Sequence, residues 1–529
     1  MTTHAVPVTP QSPAFFRRAL RWMGPLVILV LLQIVSLKTV FPTGVKVFSE
    51  DEAYLNLAVM GQIKDGAGYG LVPGETLPPC RDGLTHLVLV GLGTVFPERE
   101  QTLWFFMGMC GVCLVLVGVR MGGVLMPLNG MRIIAGVAVA TAPITHKLIL
   151  SGTGDALAAV CLFLGLLLHL EGLRGRRGNL PALSALAIGL TVMIHPVFVL
   201  WWIALWAHSV MHRGGDTQVG RGTAFLQGLG GLAIIAVMLW PFVDQHFYLL
   251  NIPWPGSFDA GMYKADLLPF AEVVRGGFRR FLELGGVNGL LGWALWVGGS
   301  ICVFFGGAPH RERKGFGMVA LAPLLSLVFA IAGYYGFGWR GGEAMMLAAW
   351  AIQPVLWAYV VFRALDGIAA KGALPAVMQR RPVVLGCGAG AIILVLMGSI
   401  ALMSFLKAER VRLESRSESR MALTDLLETL PAGAPVWTDE VGWIAYQSPR
   451  PVTDLTAVRA PRLLNWMNAD GSFASDRIEQ DFQREKPVLV VVNSSLYLRH
   501  AEAVVDVAGS KGEAVRPYPS APDMWRFTW

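Results

Sequence analysis

The sequence predicts an α-helical polytopic membrane protein that ends in a small soluble α/β domain. Three observations point there. Mean hydropathy is +0.54 over 529 residues, with 54% apolar and only 15% charged side chains. Apolar runs of about 20 residues, each long enough to cross roughly 30 Å of hydrocarbon as a helix, recur along residues 1–406. From Lys407 onward the composition becomes that of a soluble domain, residues 407–529.

The net charge of +7 is carried by short basic clusters between apolar runs, which read as orientation signals and exclude a nucleic-acid surface. Cys110, Cys113, Cys161, Cys302 and Cys387 all lie in apolar runs, so Cys110-x-x-Cys113 reads as two small apolar residues and not as a redox or zinc motif. Cys80 stands alone in a loop, so no disulfide framework is implied.

Taken in order, the first span runs from about Met23 to Phe41, behind the basic Arg17, Arg18 and Arg21, which place the N-terminus in the cytoplasm. The first outer loop, 44–100, follows. Within it Asp51 to Lys64 has helical spacing, with Leu55, Ala58, Val59 and Gln62–Ile63 on one mostly apolar face, and is expected to lie in the membrane interface. Leu84 to Phe96 is too short to span and is expected to be juxtamembrane. If it does not cross, Arg120, Arg132, Arg174, Arg176 and Arg177 fall inside, as the positive-inside bias requires.

The next spans are about Leu103–Val119, Ile133–Leu150 and Ala156–Leu173, with an outer turn Ser151-Gly152-Thr153-Gly154-Asp155 between the last two. Pro181–Val210 is too long for one span and splits at His195-Pro196. Trp201, Trp202 and Trp206 in its second half read as interfacial or packing residues. Ala224–Phe242, Leu284–Phe305, Phe316–Gly336, Ala344–Val361 and Val383–Leu406 complete a set of about eleven, leaving the C-terminal domain outside. In that domain Ser415–Leu430 and Ser475–Arg484 read as helices. Pro435–Thr438 and Val488–Val492 read as buried parallel strands.

Sorted by side, the inner turns hold arginine and lysine. The outer turns hold Asp51, Glu52, Glu75, Arg81, Asp82, Asp155, His195 and Arg340. Loops from different spans can converge on one outer cavity, and carboxylates facing cations are what displacement of a phosphate-linked group by a hydroxyl requires. Each residue also has a plainer role. Asp51 and Asp155 suit helix N-termini, Arg340 suits headgroup contact, and His195 before Pro196 suits a packed hinge.

Asp51-Glu52-Ala53-Tyr54 resembles the acidic signature that opens the first outer loop of the GT-C superfamily, integral-membrane glycosyltransferases that use polyprenyl-phosphate sugars. The likeness is to the arabinofuranosyltransferase-like and dolichyl-phosphate-mannose mannosyltransferase-like members. It continues through Gly68-Tyr69-Gly70-Leu71, Val72-Pro73-Gly74-Glu75 and Pro78-Pro79, the Ser151–Asp155 turn, and Gly338-Trp339-Arg340. Asp439-Glu440-Val441-Gly442-Trp443-Ile444-Ala445-Tyr446 resembles a strand–turn segment of the family's outer domain. Gly341-Gly342 after Arg340, and Pro79-Cys80-Arg81-Asp82, depart from the family's pattern and bear on substrate identity.

The resemblance implies an inverting glycosyltransferase of the bacterial inner membrane, with its C-terminal domain in the periplasm. It would act on a polyprenyl-phosphate sugar and a glycan or lipid acceptor, without nucleic acid. Asp51 would be the base, with Glu52 and Asp155 beside it. Asp51 and Asp155 are the alternative ligands should a divalent metal be used. Tyr54, Glu75, Arg81, His195 and Arg340 would bind substrate. A transporter or lipid flippase is the alternative from another class, disfavoured because the acids crowd one face and the midplane is apolar.

Overall fold

The computed structural model describes residues 13–41, 48, 50–68, 70, 83–125, 129–172, 180–194, 198–212, 221–245, 271, 274–275, 382–448, 450–455, 466, 473–492, 499–515 and 523–528. The expected spans between 284 and 361 lie outside these residues, as do Glu75, Arg81, Asp82, His195 and Arg340.

The described helices are α1 (Pro13–Val40), α2 (Asp51–Lys64), α3 (Gly83–Gly93), α4 (Arg99–Leu125), α5 (Asn129–Thr141), α6 (Pro143–Ser151), α7 (Asp155–Gly172), α8 (Leu180–Ile194), α9 (Val199–His212), α10 (Arg221–Gln245), α11 (Pro382–Glu428), α12 (Val441–Gln447), α13 (Ser475–Glu485) and α14 (Arg499–Lys511). Three of them are long and apolar enough to cross a membrane: Trp22–Val40 within α1, then α4 and α7. The pair α5–α6 makes a fourth, bent by 53°. The span expected over Ile133–Leu150 is thus broken into two helices. Pro143 has no N–H to continue the helix and forces Ala142 into extended backbone, φ −69° and ψ 127°. The expected split of Pro181–Val210 appears as α8 and α9.

Close helix packing uses glycine where a side chain would collide. On α10, Gly231 and Gly228 receive the Trp202 and Trp206 rings of α9, and Trp202 Nε1 donates to the Gly228 carbonyl at 3.2 Å. These tryptophans are packing residues.

The boundary expected at 406 falls within α11, which runs unbroken for 47 residues, about 70 Å. Its first half exposes Ile392, Leu396 and Ile400, as a lipid-facing helix does. Its second half carries the charges expected of Ser415–Leu430. Beyond it a five-stranded sheet has the order β2-β1-β3-β5-β4, from β1 (Val436–Thr438), β2 (Val452–Asp454), β3 (Leu489–Val492), β4 (Glu513–Ala514) and β5 (Asp523–Arg526). β1 is parallel to both β2 and β3, as their buried apolar runs suggest, while β5 is antiparallel to β3 and β4.

Strand alternation divides this sheet's side chains between two layers. Trp437, Val490 and Val492 pack with Ile478, Phe482 and Ala508 of α13 and α14. Val436, Leu489 and Val491 face the other way, onto Ile444 of α12, Leu423 and Leu427 of α11, and Leu55, Ala58 and Val59 of α2. The opposite flank of α2, with Ala53, Tyr54, Leu57 and Met60, belongs to the core of the helix bundle. The apolar face read from the sequence is therefore present, and protein packs against it. The C-terminal domain covers it through α12, and every residue from Ala53 to Gly61 is buried.

Gly152 sets how closely the 151–155 turn approaches α2. It is left-handed, φ +72°, and a Cβ there would lie 2.6 Å from Ala53 Cβ and 2.7 Å from the Phe48 ring. Gly152→Ala should cost about 1–2 kcal/mol from backbone strain and about 1–3 kcal/mol more from overpacking. The expected readout is a lower thermal midpoint of the detergent-solubilised protein, against an unchanged midpoint for Gly91→Ala, whose added methyl meets open space.

Candidate functional site

The junction of bundle and C-terminal domain is built around the first turn of α2. Asp51, partly buried, accepts at Oδ2 from the Gly442 N–H (2.7 Å) and at Oδ1 from the Trp443 N–H (2.8 Å). Both donors are successive backbone groups at the start of α12, so the segment expected as strand and turn supplies a helix start instead. Burial pushes the Asp51 carboxyl up to about 7, and the charge of Glu440 adds to it, while Arg420 and the two N–H groups pull the other way.

Its neighbour Glu50 has the opposite electrostatics. Arg412 at 2.5 Å and Arg416 at 3.4 Å overcome its burial and hold its carboxyl well below the ordinary range. Arg412, Arg416 and Arg420 recur every four residues on α11, one face of the helix just beyond the membrane half. Arg420 is 4% exposed. It donates to the Phe48 carbonyl at 2.8 Å and lies 3.8 Å from Glu440. Its guanidinium sits over the rings of Tyr54 (4.7 Å) and Trp443 (5.4 Å).

Tyr54 is the hub of an aromatic group. Its ring meets Trp443 edge-on at 4.7 Å and Phe48 at 5.9 Å, and its hydroxyl accepts from the Phe48 N–H at 2.9 Å. Phe48 stacks on Trp104 at 4.5 Å. Burial raises the Tyr54 phenol, so it stays protonated.

On the far flank of α2, Asn56 donates to the Gly152 carbonyl at 3.3 Å and contacts His86 Nε2 through Oδ1 at 2.8 Å, tying α2 to α3 and to the 151–155 turn. Asp155, 4% exposed at the start of α7, accepts from the Thr153 hydroxyl at 3.1 Å. Glu52 lies partly buried in the first turn of α2.

The structure thus brings Asp51 and Tyr54 together with Arg420, Glu440, Gly442 and Trp443, and brings the Asp155 turn against the same helix at Ala53 and Asn56. Those two residues are about 200° and 140° around the helix from Asp51. Among the described residues no three histidine, cysteine, aspartate or glutamate side chains form a metal-sized group. Asp51 is held by the amides of α12 and Asp155 by the Thr153 hydroxyl, and each carboxylate oxygen of Asp51 keeps a second lone pair.

The sequence reading missed Arg420 and Gly442. The four-residue spacing of three arginines after the last span was the one available signal for the first. For Gly442, only proximity to Asp51 in space reveals its role.

Bundle, junction and domain together define a multi-pass membrane protein of the GT-C fold. Two solved structures carry the likeness. ArnT from Cupriavidus metallidurans bound to undecaprenyl phosphate matches at 14% identity and a TM-score of 0.56, over 96% of this chain and 98% of that one. An oligosaccharyltransferase from Archaeoglobus fulgidus, tethered to an acceptor peptide, matches at 13% identity and a TM-score of 0.51, over 98% of this chain and 75% of that one. No protein-family model and no curated protein matches the sequence.

The two N–H bonds to Asp51 are charge-assisted, each contributing roughly 1.5–3 kcal/mol. In Asp51→Ala the amides of Gly442 and Trp443 should exchange hydrogen about 10- to 100-fold faster, while those of Val490 and Val491 in the central strand keep their rates. Hydrogen exchange read by mass spectrometry would check this.

Proposed function

We propose that this protein transfers a sugar from a polyprenyl-phosphate donor to a hydroxyl of a cell-envelope glycan or lipid at the periplasmic face of a bacterial inner membrane. The observation that carries the reading is Asp51. It is a carboxylate at the head of α2, lodged where the GT-C bundle meets its C-terminal domain and tuned toward neutrality. A general base works best when its pKa lies near the operating pH.

In this reading Asp51 takes the proton of the acceptor hydroxyl. The freed oxygen attacks the anomeric carbon opposite the phosphate. The bond from that carbon to the phosphate oxygen breaks, its electron pair leaves with the polyprenyl phosphate, and configuration inverts. The two N–H donors occupy one lone pair on each carboxylate oxygen, and each oxygen has a second to offer. Glu52 and Asp155 would position the acceptor and Tyr54 would line the site. Glu75, Arg81, His195 and Arg340, outside the described residues, are assigned to substrate, with the arginines stabilising charge on the departing phosphate. That ArnT binds undecaprenyl phosphate supports a lipid phosphate of this kind as the carrier that leaves when the sugar is transferred.

The test uses the full-length protein in lipid nanodiscs, a panel of labelled polyprenyl-phosphate pentoses and hexoses, and envelope extract as acceptor. Asp51→Asn, with rates normalised to the folded fraction, should lose transfer by at least about 10³-fold. Near-normal transfer would remove Asp51 from the chemistry.

A pH profile gives a second check. If Asp51 is the base, rate rises as it ionises. The negative charge of Glu440 opposes that ionisation, so Glu440→Gln should move the acid limb to lower pH. A limb that stays in place would assign it to another group.

A further inference from the structure

We infer that the C-terminal domain is a working part of the Asp51 site, with Gly442 and Arg420 as the positioning residues that fix where the Asp51 carboxylate points. The inference rests on Asp51 as the base and goes beyond it by assigning the aiming of that base to a separate domain, about 390 residues along the chain.

Three features of the junction carry it. First, the Asp51 carboxylate is held at both oxygens by two successive N–H groups, at 2.7 and 2.8 Å, which removes its torsional freedom and leaves the remaining lone pairs aimed away from α12. Second, the close approach requires glycine. A Cβ on Gly442 would stand 2.1 Å from the Asp51 carbonyl oxygen and 2.7 Å from the Leu55 nitrogen, both backbone atoms that no rotamer change can move aside.

Third, Arg420 fastens each piece of the junction. It holds the Phe48 carbonyl just ahead of α2, lies over Tyr54 within α2, and lies over Trp443 of α12. Trp443 Nε1 returns a bond to the Arg420 carbonyl at 3.2 Å. Charged neighbours of Asp51 on the packed elements are Glu440 ahead of α12, Arg420, Arg416 and Arg412 on α11, and Glu50 and Glu52 beside it. Glu50 shows the contrast, because a carboxylate bound directly by guanidinium groups is a weak base. Asp51 is gripped by neutral amides, while the cation that organises its surroundings binds a carbonyl and two rings.

Gly442→Ala, Arg420→Met and Arg420→Lys are compared in full-length protein in nanodiscs, with the panel sugar that supports transfer. Rates are normalised to the folded fraction from slow exchange at Val490 and Val491. Misplacing a catalytic group by about 1 Å can cost 10²-fold, so kcat should fall about 10- to 100-fold in the first two variants, with KM for the lipid donor held within about twofold. Arg420→Lys, which keeps the charge and one donor, should recover part of the loss. Independently of turnover, Arg420→Met should speed exchange at the Gly442 and Trp443 amides at least about tenfold.

Wild-type kcat in Gly442→Ala and Arg420→Met, beside an inactive Asp51→Asn, would overturn the inference and leave the base assignment standing. Unchanged amide exchange in Arg420→Met would overturn it as well. An active Asp51→Asn would instead sink the base assignment itself.

Discussion

A helix whose middle nine residues, Ala53 to Gly61, are all buried is the constraint on which the domain face of this protein depends. α2 gives Leu55, Ala58 and Val59 to the core of the C-terminal domain and Ala53, Tyr54, Leu57 and Met60 to the bundle. Each fully buried aliphatic side chain stabilises by about 1.5–3 kcal/mol, so the two cores are joined by one shared element and not by a loose contact. Burial of Ala53–Gly61 obliges the polar side chains among them to find partners. Asn56 does so with Gly152 and His86, and the hydroxyl of Tyr54 with the Phe48 amide.

The acidic head of α2 meets the same obligation in two ways. An unpaired carboxylate taken out of water costs several kcal/mol. Glu50 is compensated by two guanidinium groups and Asp51 by two amides. Full charge pairing favours ionisation far more than amide bonding does in the presence of a second acid, and Glu440 is close enough to count. Two adjacent carboxylates therefore end with opposite shifts, the kind of divergence that separates structural from chemical roles.

Much of the fold is legible in the sequence because membranes impose simple rules. Long apolar runs and basic turns locate α1, α4 and α7, and the length of Pro181–Val210 forces the division into α8 and α9. The helical spacing of 51–64 also reads directly. What covers that helix does not, because hydropathy reports that a face is apolar and says nothing of whether lipid or protein lies against it. The bend at Pro143 follows from the missing proline N–H, which mean hydropathy does not register. Asp51 stands out by being acidic beside hydrocarbon. Arg420 and Gly442 do not, since an arginine among other charges and a glycine among many acquire meaning only from residues hundreds of positions away. The antiparallel edge of the sheet was equally hidden, as β4 is two residues long and exposed.

α11 has a mechanical corollary. A single helix of about 70 Å that begins among the spans and ends against the sheet has no slack between its halves. A tilt of about 5° at its membrane end would carry its far end through about 6 Å, more than the length of any hydrogen bond at the junction.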